Sequence, residues 1–258
     1  MDLGLDGKRA LVIGASRGLG AAIAATLAAE GAEVLAASRT TERTEAWRDT
    51  LTPAVRDRVR PMVVDLADAA SVDRAAEEAG AVDVLVGNAG GPRPGPVLEM
   101  TRGDWQSAFT MMAANHFALV AALVPGMKAK GWGRVLTIGS SAIEQPVPNL
   151  ALSNAIRGAV AGWNKTLAGE LAPHGVTVNI ILPGRIHTER VDALDSANAE
   201  RQGKTADEVA AASRASIPAG RYGDPQEFAD VAAFLVSKRA SYVTGSMVRV
   251  DGGMIRSI

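Results

Sequence analysis

The chain has 258 residues, 47% hydrophobic and 21% charged, with 27 basic side chains against 28 acidic ones. That is enough apolar material for one large core, and the charge is too balanced for a basic field that would draw in nucleic acid or anionic lipid. There is no cysteine, which excludes disulfides and thiolate chemistry and fits a reducing, cytoplasmic setting.

Short aliphatic runs alternate with longer Ala-rich stretches, as in successive βαβ units around a parallel sheet with helices on both faces. Strands are predicted at Arg9 to Ile13, Glu33 to Ala37, Arg60 to Val64, Val82 to Val86, Arg134 to Ile138, Thr177 to Leu182 and Met247 to Val250. Being short and nearly continuous in apolar character, these runs read as buried strands. The first leads into Gly14-Ala15-Ser16-Arg17-Gly18-Leu19-Gly20, which opens a helix reaching Glu30. Glycines at such a turn allow close backbone approach, and the free N–H groups and positive end of the helix attract a diphosphate. The expectation is therefore an α/β, doubly wound, seven-stranded Rossmann-type domain spanning 1–258 that binds a dinucleotide.

The second strand ends at Ala37-Ser38-Arg39. An NAD site would hold an acid here against the ribose 2′-hydroxyl, whereas Ser38 repels no phosphate, and Arg17 and Arg39 flank the expected adenosine ribose. Guanidinium groups at those places predict NADP(H). Further along, Thr101-Arg102-Gly103-Asp104 and Asp224-Pro225-Gln226-Glu227 carry helix N-cap signals. Between them, residues 188–218 turn polar and charged, and this interruption is read as a substrate lid. No signal-peptide pattern and no uninterrupted apolar run of about 18 residues is found, so secretion and membrane insertion are not expected. Acidic residues and histidines do not recur at metal-ligand spacing, so no metal is expected.

Taken together, the glycine loop, Asp65-Leu66, Gly87-Asn88-Ala89-Gly90, Gly133-Arg134-Val135, Pro183-Gly184, Pro218-Ala219-Gly220-Arg221 and Val250-Asp251-Gly252-Gly253 resemble the short-chain dehydrogenase/reductase superfamily. The similarity is greatest to its 3-oxoacyl-[acyl-carrier-protein] reductase branch. The resemblance implies cofactor contacts from Gly14, Ser16, Arg17, Gly18, Leu19 and Gly20, from Asp65 and Leu66 at the adenine, and from Asn88, Ala89 and Gly90 at the ribose. Pro183, Gly184, Ile186 and Thr188 would frame the nicotinamide. It also implies a homodimer or homotetramer joined through two long helices, here around Gly103 to Lys130 and Leu150 to Ala172, and a small carbonyl or acyl-thioester substrate.

The resemblance breaks at the catalytic set. Ser140 matches the family serine and Asn115 the asparagine, but Ser153 stands at the tyrosine position and Arg157 at the lysine position, and Gly87 replaces an asparagine. A serine hydroxyl is far more basic than a phenol and falls roughly 4 Å short of its reach. The sequence therefore suggests a reductase in which Ser140 and Arg157 polarise a carbonyl while a water held by Ser153 or Asn115 relays the proton. His187, and less so His116, are further proton sources. Two alternatives remain open: an NADP(H)-binding sensor or partner subunit without turnover, and a lyase like the halohydrin dehalogenases.

Overall fold

In the computed structural model, which describes residues 1–257, seven strands form one parallel sheet. They are β1 (Arg9–Ile13), β2 (Glu33–Ser38), β3 (Val59–Val63), β4 (Val84–Gly87), β5 (Gly133–Ile138), β6 (Val176–Pro183) and β7 (Met247–Val250), in the order β3-β2-β1-β4-β5-β6-β7. Each expected strand is present within two residues of its predicted ends. The helices are α1 (Gly18–Ala29), α2 (Thr41–Arg48), α3 (Pro53–Arg56), α4 (Ala69–Ala79), α5 (Arg102–Phe109), α6 (Asn115–Lys130), α7 (Ala151–Leu171), α8 (Glu189–Gln202), α9 (Ala206–Ala215) and α10 (Pro225–Leu235).

Side chains on a strand alternate between faces, and both faces of the central strands are covered. Ala10 and Val12 of β1 join a core with Ile23 and Leu27 of α1 and Phe228 and Ala232 of α10. Leu11 and Ile13 join the opposite core with Val72 of α4, Leu119 and Leu123 of α6 and Leu171 of α7. The edges correct the expectation of seven buried strands. Arg60 and Val63 of β3 and Met247 of β7 are exposed or half-exposed, because an edge strand has a neighbour on one side only.

Both N-cap signals form reciprocal capping boxes, Thr101 with Asp104 and Asp224 with Glu227; Thr205 with Glu208 makes a third that sequence reading missed. The long helix expected from Gly103 to Lys130 is interrupted by a π turn, Thr110–Ala114, directly before Asn115. Such widened turns commonly reposition side chains near functional sites. The run Arg102–Lys130 is long and apolar enough to cross a membrane by length and composition, although polar residues break it into shorter apolar stretches; its inner face lies in the core with Leu119, Leu123 and Met127 buried. Strand order reverses between β1 and β4, and the crevice at their carboxyl ends is where open α/β sheets bind ligands.

Candidate functional site

The glycine loop closes tightly on itself. Gly14 has φ +70°, and a Cβ built there would lie 2.7 Å from Nδ2 of Asn88; a Cβ on Gly20 would lie 2.3 Å from the Gly14 carbonyl oxygen. Gly20 therefore excludes any side chain, the left-handed backbone of Gly14 disfavours one, and the loops after β1 and β4 touch. Ser16 and Leu19 are half-buried and Gly18 begins α1, whose first turn carries no acidic residue. The positive end of that helix is left for an anion.

Ser38 ends β2 with its hydroxyl bonded to the Thr40 carbonyl at 2.5 Å and to the Thr44 hydroxyl at 2.7 Å. No carboxylate stands in its place, and Arg39 beside it is exposed. Arg17 is engaged: its Nη1 donates to Glu189 Oε2 at 2.6 Å, and Arg43 approaches the same oxygen at 3.5 Å. Hydrogen bonding from Arg17, chiefly, holds the Glu189 carboxyl below the usual carboxylate range. Glu189 opens α8, so the expected lid segment reaches back onto the phosphate loop. Thr188 lies beside Gly18 there.

Asp65 accepts from its own loop at Ala67 N, 2.9 Å. The carbonyl of buried Leu66 accepts from Asn115 Nδ2 at 2.8 Å, so the Asn115 amide ties the helix after the π turn to the loop after β3. Pro183 ends β6 and the Gly184 amide donates to the Val250 carbonyl at 3.0 Å. Ile186 is buried and bridges to Gly223.

Ser140 follows β5, and its Oγ accepts from Ala142 N at 3.1 Å, leaving the hydroxyl proton free. Arg157 lies one helical turn after Ser153 on α7 and donates from Nε to its Oγ at 3.3 Å. The rest of its guanidinium bridges two strand ends: Nη1 reaches the Ile138 and Gly139 carbonyls, each at 3.1 Å, and Nη2 the Ala89 carbonyl at 3.4 Å. A guanidinium carries five N–H donors, and four hydrogen bonds leave one. Burial, with a smaller contribution from the Arg190 charge, lowers its pKa to about 10, so Arg157 stays cationic at neutral pH.

At Gly87, where the resemblance implies an asparagine, the structure leaves no room for a side chain. The His116 ring fills that space, and a Cβ at Gly87 would sit 2.2 Å from its Cε1. The buried His116 ring packs edge-on against Trp163, its Nε2 lies 3.2 Å from the Thr137 hydroxyl, and burial lowers its pKa to about 4. The imidazole is thus neutral near pH 7 and lies behind Arg157, lining with it and Gly87 a void of about 10 Å³. His187 lies elsewhere, exposed, 3.4 Å from Asp192, at the rim of a cavity of about 560 Å³ formed by α8, α9 and the segment before α10. Tyr222 borders the same cavity and donates to buried Asp195 at 2.6 Å, while Tyr242 is fully exposed. Glu144, four residues after Ser140, is paired with Arg249 of β7.

Residues 14–255 match the family model described as Enoyl-(Acyl carrier protein) reductase. The chain belongs to the short-chain dehydrogenase/reductase superfamily. Among curated relatives it is 36% identical over 258 residues to a 3-oxoacyl-[acyl-carrier-protein] reductase of Vibrio cholerae, covering 98% of this chain and 99% of the relative. It is also 38% identical over 248 residues to the short-chain reductase protein NovJ of Streptomyces niveus, covering 95% and 92%. Among solved structures, L-sorbose reductase from Gluconobacter frateurii, complexed with NADPH and L-sorbose, superimposes with a TM-score of 0.94 at 32% identity, covering both chains completely. The superfamily placement and Rossmann-type fold expected from the motifs therefore stand.

Proposed function

We propose that this oxidoreductase-family protein is an NADP(H)-dependent carbonyl reductase with Ser153 and Arg157 in place of tyrosine and lysine. The observation that carries the cofactor reading is the closed glycine loop beside a second strand ending in Ser38-Arg39 without an acid. The amides of Gly14, Ser16, Gly18, Leu19 and Gly20 would hold the diphosphate, and Arg39 with Arg17 the 2′-phosphate. Asp65 and Leu66 would border the adenine, Asn88, Ala89 and Gly90 the ribose, and Pro183, Gly184, Ile186 and Thr188 the nicotinamide. Bound there, the nicotinamide supplies a hydride to a carbonyl.

The residues of the chain have the complementary task of stabilising negative charge on the carbonyl oxygen and delivering a proton to it. Ser140 holds its oxygen fixed against Ala142 N and can donate its free O–H to that oxygen. Ser153 accepts from Arg157, so its own O–H is polarised and points its proton elsewhere. Because serine is shorter than tyrosine, a water between Ser153 and the substrate completes the relay. Arg157 acts as a fixed charge. Asn115, with its amide donor given to Leu66, positions the helix end.

The substrate is a small carbonyl compound or acyl thioester, covered by residues 188–218 as a lid. Exposed Ala155, Gly158, Ala159 and Gly162 on α7 support pairing into a homodimer or homotetramer, since small residues allow helices to approach closely. The four bonds that tie Arg157 to backbone and Ser153 also support a second reading, an NADP(H)-binding sensor or partner subunit without turnover. The intact glycine cradle weighs against a lyase, which would need no dinucleotide. NADPH oxidation measured against ketones, quinones and β-oxoacyl thioesters separates these readings. Oxidation with any of them, reduced by Ser140→Ala, supports the reductase; NADPH binding without any oxidation supports the sensor.

A further inference from the structure

We infer that the substrate carries a carboxylate beside its reacting carbonyl and that Arg190 grips it, a deduction that rests on the reductase reading and narrows its substrate to an oxo acid. Arg190 is the second residue of α8, next to the Glu189 that pairs with Arg17. Its Nη2 reaches the segment after β4, where it would lie 3.4 Å from a Cβ built on Gly91. Nη2 of Arg157 donates to the Ala89 carbonyl in that same turn. Two guanidinium groups, one on α7 and one on α8, thus reach the same turn, Ala89 to Gly91. The proximity also registers in Arg157, whose pKa is lowered first by burial and then by the Arg190 charge.

The nearby acids are engaged elsewhere. Glu144 pairs with Arg249, Glu189 with Arg17 and Arg43, and Asp104 with Arg93 at 2.7 Å. Among the described residues, Arg190 has neither a salt bridge nor a side-chain hydrogen bond. Two like charges drawn to one turn without a counter-charge favour a bound anion, and Arg190 is exposed, so an incoming anion can reach it. The division of labour follows from the donors. Arg157 has spent four of its five N–H groups and contributes charge, whereas the free, planar fork of Arg190 matches a carboxylate bidentately. A neutral thioester beside the carbonyl would leave both charges unanswered.

An anion here has a second possible source, the cofactor diphosphate, but the diphosphate cradle lies at the start of α1, where Thr188 rather than Arg190 faces Gly18. The test uses oxamate and its neutral counterpart oxamide, titrated by calorimetry into the protein with and without NADP+. Oxamate should bind about tenfold more tightly than oxamide, as a charge-assisted hydrogen bond predicts. Arg190→Gln should abolish that preference and leave the NADP+ Kd within about twofold. Equal binding of oxamate and oxamide to the unaltered protein would overturn the inference. So would an Arg190→Gln variant that keeps the preference, or one that weakens NADP+ as much as oxamate, which would assign the arginine to the diphosphate. The readout is binding, so it separates from the parent reading: an oxamate preference in a protein that oxidises no NADPH upholds the anion site while the reductase assignment falls.

Discussion

The buried imidazole of His116 should make the fold acid-sensitive in a way one substitution can isolate. An unfolded histidine titrates near 6.5, and burial holds this one at about 4. Between those values the unfolded chain binds a proton that the native chain refuses. The stabilisation from keeping the ring neutral is therefore complete above about pH 6.5 and is lost as pH falls towards 4. Linkage gives a loss of roughly 2 kcal/mol at pH 5.0 relative to pH 7.5, rising to about 3 kcal/mol below pH 4. Urea unfolding of wild type and His116→Gln at pH 7.5 and 5.0 measures it. Carboxylates such as Asp104, held low first by Arg93 and then by Thr101, add their own loss at lower pH, but they do so equally in both proteins. His116→Gln is expected to be the less stable protein at pH 7.5 and to lose about 2 kcal/mol less on acidification. An identical loss in both proteins would show that His116 is not buried in its neutral form and would refute this packing of the site.

The same packing predicts non-additivity. Gly87→Ala should cost about 1–3 kcal/mol through collision with the ring, and combining it with His116→Ala should cost at least 1 kcal/mol less than the sum of the single changes, roughly; additive costs in a denaturation cycle would count against the contact. Arg39→Ala should weaken NADPH binding in a fluorescence titration while changing NADH little; equal losses would remove Arg39 from phosphate recognition. Because Glu189 occupies Arg17 and Arg43, Glu189→Gln should tighten NADPH roughly twofold to fivefold, as loss of an exposed competing ion pair implies, an effect that fades in high salt and would be contradicted by weaker binding. Arg157→Met should destabilise the protein by about 3 kcal/mol, because three carbonyls lose their donor; an unchanged urea midpoint would argue against the bridge.

Much of this architecture was legible in the chain because its signals are local. The strand runs, the glycine loop and two of the capping boxes each lie within a few residues, and their periodicity and spacing specify them directly. The edges were less legible: β3 and β7 read as buried because aliphatic content does not reveal how many neighbours a strand has. The π turn before Asn115 leaves no mark in composition. Least legible were the contacts between distant segments. Gly87 looked like an unexplained loss until His116, from another element, was seen to fill its space. Arg17 reads as free in the sequence because its partner, Glu189, lies 172 residues away along the chain. Arg157 showed its charge in the sequence but not its carbonyl partners, which fix it between the ends of β4 and β5.

The account depends most on the nucleotide cradle, and the most direct measurement is the intrinsic fluorescence of the protein titrated with NADPH and with NADH at low ionic strength. Saturable binding of both, with NADPH the tighter and its advantage reduced by Arg39→Ala, is the predicted result. No affinity for either nucleotide, or a preference for NADH, would contradict it.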